Sequence, residues 1–219
     1  MNAVRVAIIG AGGFAREVEW LIRDINRAST GRSFHLLGCL TSDGKDDGRR
    51  QVIGDFHWLE QNQGAVDGLV MGIGNPKVRL SLGLELMTRF PALDWPVLIH
   101  PSVLIDWRSA TIGKGVVICA GVIGTVNVVI GDFAGINLAC TIGHEAVIGR
   151  GAMLNPSVNV SGGVSIGDAV LVGTGAQILQ NLSVGAGAVI GAGAVVTKDV
   201  PEGVTVVGVP ARPLEKKAS

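Results

Sequence analysis

A period of six residues runs through the C-terminal half of the chain, from Ile112 to Val196, without an insertion. Fourteen of the fifteen positions at this spacing are aliphatic, and the exception is Gly124. The fifteen positions four residues further on are all apolar, and most carry small side chains. An α-helix repeats every 3.6 residues and a half-buried strand every two, so neither element explains this period.

Three hexads make one triangular coil, so aliphatic residues 18 positions apart stack in columns such as Ile112, Ile130 and Ile148. Each coil buries its apolar face only by stacking on the next coil, which is the principle of a repeat protein. The sequence therefore predicts an all-β parallel β-helix, with five coils over residues 112–201.

The N-terminal half shows a different pattern, in which apolar runs alternate with helical spacing. The runs at 4–10, 34–40 and 68–74 have the length and composition of buried strands. Apolar residues at helical spacing follow the first run, and Pro76 opens a second helical stretch that reaches to about Phe90. Strand–helix–strand order predicts a small parallel α/β sheet of the Rossmann-like type.

Prolines at positions 91, 96 and 101 separate the two patterns. We therefore expect two domains, an α/β domain over 1–96 and a β-helix domain over 97–219.

The composition limits the classes of function. The formal net charge is zero, which gives no electrostatic reason to expect nucleic acid or an anionic membrane surface as a partner. No run approaches the roughly 20 apolar residues of a membrane span, and the N-terminus lacks a signal-peptide pattern. The three cysteines form no C-x-x-C pair, which argues against a zinc knuckle or a disulfide framework. We expect a cytoplasmic chain without a metal.

The residues that follow each aliphatic–glycine pair should point outward at the corners of the coils, and most are polar or small. Val126, Phe133 and Leu138 are apolar exceptions within one 13-residue stretch. Apolar groups on adjoining corners favour a buried contact between subunits. Because a three-sided prism packs naturally around a threefold axis, we expect a homotrimer.

One histidine, His144, occupies an outward corner of the repeat, and the other three histidines precede the repeat. Glu145 follows it and offers a carboxylate that can orient the ring. Asn137 places an amide at the adjoining corner of the same coil, and Gly162 lies one coil further on, at about the 4.8 Å spacing of paired strands. A base beside an exposed backbone N–H at a subunit groove is the minimum needed for acyl transfer.

Five motifs carry a family resemblance: "IIGAGGFAREV" at the front, "IGNPKVR" (73–79), "LIHPSV" (98–103), "INLACTIGHEAVIG" (136–149) and "VVGVPARP" (206–213). With them the chain resembles the bacterial nucleotide-sugar acetyltransferases, which join a Rossmann-like domain to a left-handed β-helix. Relatives include 4-amino-sugar N-acetyltransferases of surface-glycan pathways and sialic acid O-acetyltransferases. The resemblance covers nearly the whole chain, and it supplies the left-handed sense of the winding.

The resemblance also implies roles for individual residues. His144 is implied as the general base, Glu145 as the residue that orients its ring, and Asn137 as a further member of the site. Gly162 is implied as the N–H donor to the thioester carbonyl of acetyl-CoA, the implied cosubstrate. The groove for acetyl-CoA, between two β-helices, is implied to contain Thr174, Gly191, Gly193, Lys198 and Arg212.

The turn "GAGGFA" also satisfies the dinucleotide fingerprint, but the acidic residue expected about 20 residues later is missing from the end of the next strand. We therefore prefer a nucleotide-sugar site with the pyrophosphate at a helix N-terminus. Its expected residues are Gly10, Gly12, Gly13, Phe14 and Asp43. Relatives often carry a histidine in place of Phe14, a second aspartate beside Asp43, and a histidine where this chain has Met153.

The leading interpretation is an acetyl-CoA-dependent N-acetyltransferase that acts by direct transfer on a nucleotide-activated amino sugar of the 4-amino-4,6-dideoxy type. Cys140 falls at an inward position, which disfavours an acyl-cysteine route. O-acetylation of a sialic acid or a related sugar is the alternative within the same chemistry. A non-catalytic trimeric scaffold, with His144 idle or shared around zinc, is the alternative from another class. A Rossmann-type oxidoreductase is a weaker one.

Overall fold

The computed structural model describes residues 3–31, 33–45 and 51–214. Its N-terminal part is a four-stranded parallel sheet in the order β3-β2-β1-β4, with helices packed against it. The elements are β1 (Val4–Ile9), α1 (Gly13–Ala28), β2 (Phe34–Leu40), β3 (Val52–Gly54), α2 (Phe56–Gln61), a 3₁₀ turn (Gln63–Ala65), β4 (Gly68–Met71) and α3 (Pro76–Arg89). The predicted parallel α/β sheet is confirmed.

Sequence periodicity missed β3 and α2, because three and six residues are too few to show a period. The first turn of α2 is held by Asp55, whose carboxylate accepts the N–H of Trp58 at 2.7 Å. None of the three helices in the described residues combines the length and apolar character needed to cross a lipid bilayer.

The C-terminal part is a three-faced β-helix built from two- and three-residue strands that pair in parallel from coil to coil. The first face contains β5 (Leu98–Ile99), β7 (Val117–Ile118), β10 (Gly135–Ile136), β13 (Met153–Leu154), β16 (Leu171–Val172), β19 (Val189–Ile190) and β21 (Thr205–Val207), with β22 (Arg212–Pro213) antiparallel at the end. The second face contains β8 (Ile123–Gly124), β11 (Thr141–Ile142), β14 (Asn159–Val160), β17 (Gln177–Ile178) and β20 (Val195–Val196). The third face contains β6 (Thr111–Ile112), β9 (Val129–Ile130), β12 (Val147–Ile148), β15 (Ser165–Ile166) and β18 (Ser183–Val184).

Residues 18 positions apart are paired along each face, as the period predicts; Ile130, for example, pairs with Ile112 and Ile148. The aliphatic columns and the small residues four positions later form one continuous buried core. The predicted triangular winding is therefore confirmed.

Three columns of corners join the faces. We name them after the helix α3 that lies along the first, Asn137 on the second and His144 on the third. The helix corner, after the third face, comprises residues 113–115, 131–133, 149–151, 167–169 and 185–187. The asparagine corner, after the first face, comprises 119–121, 137–139, 155–157, 173–175 and 191–193. The histidine corner, after the second face, comprises 125–127, 143–145, 161–163, 179–181 and 197–199. The last residue of most corners has a left-handed backbone, with φ between 53° and 73°.

The N-terminal sheet packs its helices on the first face of the β-helix. Helix α1 shares a buried cluster with Leu98, Val117 and Cys119, while α3 runs along the helix corner. Gly83 of α3 leaves room for the ring of Phe133, since a Cβ there would lie 2.9 Å from that ring.

The prediction that Phe133 faces a second subunit is therefore wrong. Phe133 is fully buried inside the chain and packs edge-on against Trp95, with ring centroids 4.9 Å apart. Leu138 is half-buried against the α1 cluster. Only Val126 of the three remains well exposed, at 44%. The hexad frame gives the direction in which a corner side chain points, but α1 and α3 occupy the space outside two of those corners.

Arg79 joins the two parts of the molecule. Its side chain is fully buried and donates to the backbone carbonyls of Phe133, Ile73 (2.7 Å) and Ala134 (3.4 Å). Burial lowers the pKa of Arg79 to about 9. In the described part of the chain no carboxylate pairs with this guanidinium, so carbonyl dipoles and the face of Phe14, 5.3 Å away, are its partners.

Replacing Arg79 with methionine keeps most of the buried volume but leaves these carbonyls without their donor. We expect Arg79→Met to lower the free energy of unfolding by about 2–4 kcal/mol, and Arg79→Lys to have a smaller effect. Arg89→Met is the matched control on the same helix, because Arg89 forms half-exposed ion pairs with Glu60 and Glu85 and should cost less than about 1 kcal/mol. Equal losses for Arg79→Met and Arg89→Met in urea unfolding would contradict the account.

Candidate active site

His144 lies at the histidine corner between β11 and β12, with 64% of its side chain exposed. Its Nδ1 is hydrogen-bonded to Oε2 of Glu145, and its backbone carbonyl accepts the N–H of Gly163 at 2.8 Å. The first contact sets the orientation of the ring, and the second fixes the backbone that carries it. Nε2 therefore faces away from the carboxylate.

Glu145 is the left-handed residue of this corner, with φ 55°. Its carboxylate also accepts from Asn127 Nδ2 at 3.3 Å, and Asn127 lies one coil earlier. The hydrogen bond with His144, followed by that from Asn127, holds the pKa of Glu145 below its usual value. Glu145 is therefore ionised at neutral pH, and its carboxylate can hold the neighbouring ring through Nδ1.

Gly162 lies under the imidazole ring, one coil after His144. A Cβ at this position would lie 2.5 Å from both Cε1 and Nε2 of His144, so only glycine allows the ring to sit here. The carbonyl of Gly162 accepts from Asn181 N at 3.0 Å, while its N–H has no acceptor among the described residues. His144 Nε2 likewise has no hydrogen-bond partner among the described residues, and the backbone of Gly162 lies next to it. Such a pair can take a proton from a nucleophile and stabilise a developing oxyanion.

Asn137 lies in the same coil as His144 but at the asparagine corner, on the other side of the second face. It is 5% exposed, and its Nδ2 donates to Oε2 of Glu17 on α1 at 3.3 Å. Its Oδ1 accepts the N–H of Leu138 at 2.7 Å. Within one chain the structure places Asn137 against α1, and no hydrogen bond joins it to His144 in the described residues.

Thr174, Gly191 and Gly193 also lie at the asparagine corner. Thr174 is two coils after the coil of Asn137, and Gly191 and Gly193 are three coils after it. The N–H of Gly193 donates to the carbonyl of Thr174 at 2.8 Å, and that of Gly191 donates to Val206 at 2.8 Å. These three residues therefore lie close to one another, but within one chain the second face separates them from His144.

Lys198 lies on the histidine corner three coils after His144, which is roughly 14 Å along the stack at about 4.8 Å per coil. Lys198 and Arg212 line one cleft of about 240 Å³ between the last coil and the C-terminal hairpin. Asp199 lines the same cleft, and its Oδ1 accepts the N–H of Ser183 at 2.8 Å. Lys198 and Arg212 therefore place two positive charges on one cleft, at the end of the histidine corner that is distant from His144.

The glycine-rich turn lies at the carboxyl end of β1, where the strand order changes direction between β1 and β4. Open α/β sheets bind ligands in the crevice at such a point. Gly10 has φ 94°, which a side chain would strain, and Gly12 caps α1 without a side-chain hydrogen bond. Gly12 and Gly13 are exposed and the first turn of α1 contains no acidic residue, so its N–H groups can receive an anion.

Phe14 and Asp43 lie at the same edge of the sheet. Phe14 is half-buried beneath the guanidinium of Arg79. Asp43 follows β2 and accepts from Thr41 Oγ1 and Lys45 N, both at 3.2 Å. The backbone N–H of Lys45 is the main reason why the pKa of Asp43 is lower than usual. Asp43 is therefore an exposed, ionised acceptor beside the crevice.

Cys140 is fully buried, as its inward position predicts. Burial raises the pKa of its thiol to about 11, so this sulfur is a poor nucleophile at neutral pH. Across the described ranges, no cluster of three or more His, Cys, Asp or Glu side chains could hold a metal ion.

Two contacts of the site were not recognised in the sequence. Asn127 lies 18 residues before Glu145, so the coil period alone could have identified it. Glu17 lies 120 residues before Asn137, and only the docking of α1 on the β-helix brings the two together.

Comparisons with known proteins agree with this architecture. Residues 5–85 match the family model described as the PglD N-terminal domain, and residues 163–198 match the bacterial transferase hexapeptide model. Among curated proteins, none matches this chain in sequence.

Several solved structures are similar over almost their full length. A variant of perosamine N-acetyltransferase from Caulobacter crescentus, with one histidine replaced by asparagine, was solved with CoA and GDP-perosamine. It is 30% identical with a TM-score of 0.86, over 96% of this chain and 97% of that chain. The acetyltransferase domain of PglB from Neisseria gonorrhoeae, solved with acetyl coenzyme A, is 31% identical with a TM-score of 0.85, over 97% and 100%. WeeI from Acinetobacter baumannii is 29% identical with a TM-score of 0.79, over 97% and 100%.

The α/β sheet, the hexapeptide coils and these similarities lead to one assignment. The chain belongs to the family of bacterial nucleotide-sugar acetyltransferases, acyltransferases that join a PglD-type N-terminal domain to a left-handed hexapeptide β-helix.

Proposed function

We propose that this protein transfers an acetyl group from acetyl-CoA directly to the amino group of a nucleotide-activated sugar of the 4-amino-4,6-dideoxy type. The observation that carries the proposal is the packing of the His144 ring on Gly162, with Glu145 on Nδ1 and a free N–H beside Nε2. Solved relatives bound to CoA with GDP-perosamine, or to acetyl coenzyme A, support the class of both substrates.

The reaction follows from the two free groups. His144 Nε2 takes a proton from the neutral amine as its nitrogen attacks the thioester carbon. The N–H of Gly162 stabilises the oxyanion that forms, and Glu145 stabilises the imidazolium. When the carbon–sulfur bond breaks, the imidazolium gives its proton to the CoA thiolate. The products are the acetamide and free CoA.

The acceptor nucleotide fits the crevice at the carboxyl ends of β1 and β4. The pyrophosphate would lie on the N–H groups of Gly12 and Gly13, where the turn after Gly10 leaves backbone exposed. Asp43 offers an ionised acceptor for hydroxyl or base N–H groups of the nucleoside. Phe14 offers the nucleotide sugar an apolar contact at the position where relatives often carry a histidine.

The acetyl-CoA groove requires two copies of the chain. His144, Gly162 and Lys198 lie on the histidine corner, whereas Thr174, Gly191 and Gly193 lie across the second face. In a threefold assembly the histidine corner of one protomer meets the asparagine corner of the next, and the two sets line one groove. The cleft with Lys198 and Arg212 then receives the phosphates of CoA.

Exposed apolar side chains support the homotrimer. Ile123 lies on the second face at 47% exposed beside Leu104 at 64%, and Val129 and Val147 continue the apolar surface on the third face. Such a surface favours burial against another copy. Acetyl-CoA as donor and three free cysteines support a cytoplasmic location.

Amide formation is favoured over ester formation because the similar solved structures are named as N-acetyltransferases. Thiol release from acetyl-CoA, followed across UDP-, GDP- and dTDP-linked amino sugars and their hydroxyl counterparts, tests the proposal. Release with an amino sugar supports it. Release with none, or with hydroxyl acceptors alone, would overturn it.

His144→Ala removes the base while leaving a small outward corner residue. We expect a loss of about 10²–10⁴-fold in kcat, with an unchanged melting temperature. His57→Ala is the control, because His57 is an exposed residue of α2. Turnover by His144→Ala equal to that of His57→Ala would remove His144 from the mechanism.

Gly162→Ala introduces a methyl group into the space of the imidazole ring. We expect the ring to be displaced and kcat to fall at least about tenfold, since a catalytic group moved by about 1 Å can cost about 10²-fold. Ser161→Ala, at the preceding residue of the same corner, should keep its activity. An unchanged kcat in Gly162→Ala would show that the imidazole of His144 does not act as the base from its position over Gly162.

Light scattering should give a mass about three times the 22.5 kDa of the chain. Ile123→Glu places a charge in the exposed apolar surface of the second face, so we expect it to dissociate the assembly and abolish turnover together. Val78→Glu, at an exposed position of α3, is the control, and it should keep both the trimer and the turnover. A fully active monomer would contradict a groove shared between protomers.

A further inference from the structure

A narrow cleft lies between α1 and the asparagine corner, one to two helical turns along α1 from the glycine-rich turn. Trp20 and Leu21 of α1 form one wall, and Ala120 and Leu138 of the corner form the other. The space left is about 10 Å³, enough for one group the size of water or a methyl. Trp20 is 44% exposed, an unusual position for such a large aromatic side chain.

Glu17 borders this cleft on the side of the helix N-terminus. Its carboxylate is half-buried and accepts one hydrogen bond, from Asn137 Nδ2 at 3.3 Å. Throughout residues 3–31, 33–45 and 51–214, no lysine, arginine or histidine forms an ion pair with it. A half-buried carboxylate without a cation is costly and is often found where a ligand supplies the missing charge.

The charge of Glu17 acts on the cleft itself. The pKa of Cys119 rises to about 12, mainly because its thiol is buried and secondly because the carboxylate of Glu17 is nearby. Cys119 is one of the residues lining the cleft. His100, which also lines it, has Nε2 3.5 Å from Asp24 and Nδ1 2.8 Å from Ser102 Oγ, so its ring is engaged elsewhere.

The position of Glu17 suits a sugar on a pyrophosphate. Glu17 lies four residues after Gly13, which is about 6 Å along α1 at about 1.5 Å per residue and is comparable with the width of a pyranose ring. A sugar attached to a diphosphate on the helix N-terminus would therefore present its far edge to Glu17 and the cleft. Asn137, which touches Glu17, belongs to the corner that meets the neighbouring histidine corner in the proposed trimer.

We propose that Glu17 and the adjoining cleft select the acceptor by two neighbouring substituents, an amino group on one ring carbon and an unsubstituted methyl on the next. The carboxylate binds the ammonium form, and the slot between Trp20 and Leu138 takes the methyl. The ammonium loses one proton to solvent before the neutral amine attacks. This inference rests on the proposed function and deepens it, because it assigns the 4-amino-4,6-dideoxy preference to named residues.

The first test removes the charge of Glu17 without changing its size. Glu17→Gln should raise the KM for the accepted nucleotide-linked 4-amino-4,6-dideoxy sugar about ten- to hundredfold, with the KM for acetyl-CoA and the melting temperature unchanged. Glu19→Gln is the matched control, since Glu19 lies two residues on and pairs with Arg23. An unchanged sugar KM in Glu17→Gln would overturn the assignment of the amino group.

The second test concerns the slot and uses two acceptors that differ only in a 6-hydroxyl group. The wild-type protein should prefer the 6-deoxy sugar by at least about tenfold in kcat/KM, because a hydroxyl in the slot would lack a partner. Ala120→Leu should fill the slot and reduce this preference by lowering kcat/KM for the 6-deoxy sugar. Equal use of both sugars by the wild-type protein would overturn the assignment of the slot.

Failure of this inference differs from failure of the proposed function. If some amino sugar turns over but neither Glu17→Gln nor Ala120→Leu changes its kinetics, only the specificity assignment is wrong. If no amino sugar releases CoA, the proposed function is wrong and the inference falls with it.

Discussion

Parallel hydrogen bonding between coils places each residue of the β-helix beside the residue 18 positions later. Thr141 pairs with Asn159 and Ile142 with Val160, and the corners that follow are stacked in the same register. This register brings His144 over Gly162, and it brings Asn127 to the carboxylate of Glu145. A shift of one residue would turn every inward side chain outward, so the buried aliphatic columns hold the site in place. Core packing and catalytic geometry therefore depend on the same pairing.

The second constraint is the docking of the α/β sheet on the first face of the β-helix. Arg79 reaches from α3 to the carbonyls of Phe133 and Ala134, and Phe133 in turn fills the space opposite Gly83. The same docking places the start of α1 near the asparagine corner, where Glu17 meets Asn137. The same contacts therefore position the proposed nucleotide crevice relative to one wall of the proposed groove.

The six-residue period predicted the coils, the columns and the inward position of Cys140 from the sequence alone. It also placed His144, Glu145 and Gly162 together, because all three lie in one regular frame. The period could not predict contacts between distant segments, such as Arg79 with Phe133 or Glu17 with Asn137, which are 54 and 120 residues apart. For the same reason Phe133 was assigned to a subunit contact although α3 covers it. The division of the chain after residue 96 and the roles of the individual site residues stay predictions.

The central claim is that acetyl transfer occurs between His144 and the free N–H of Gly162, in a groove completed by the next protomer. A crystal structure of the protein with acetyl-CoA tests it most directly. The account predicts a trimer with the thioester carbonyl oxygen about 3 Å from Gly162 N, and Thr174 and Gly193 of the adjoining protomer along the same pantetheine arm. A thioester bound far from Gly162, with the imidazole of His144 facing open solvent, would contradict it.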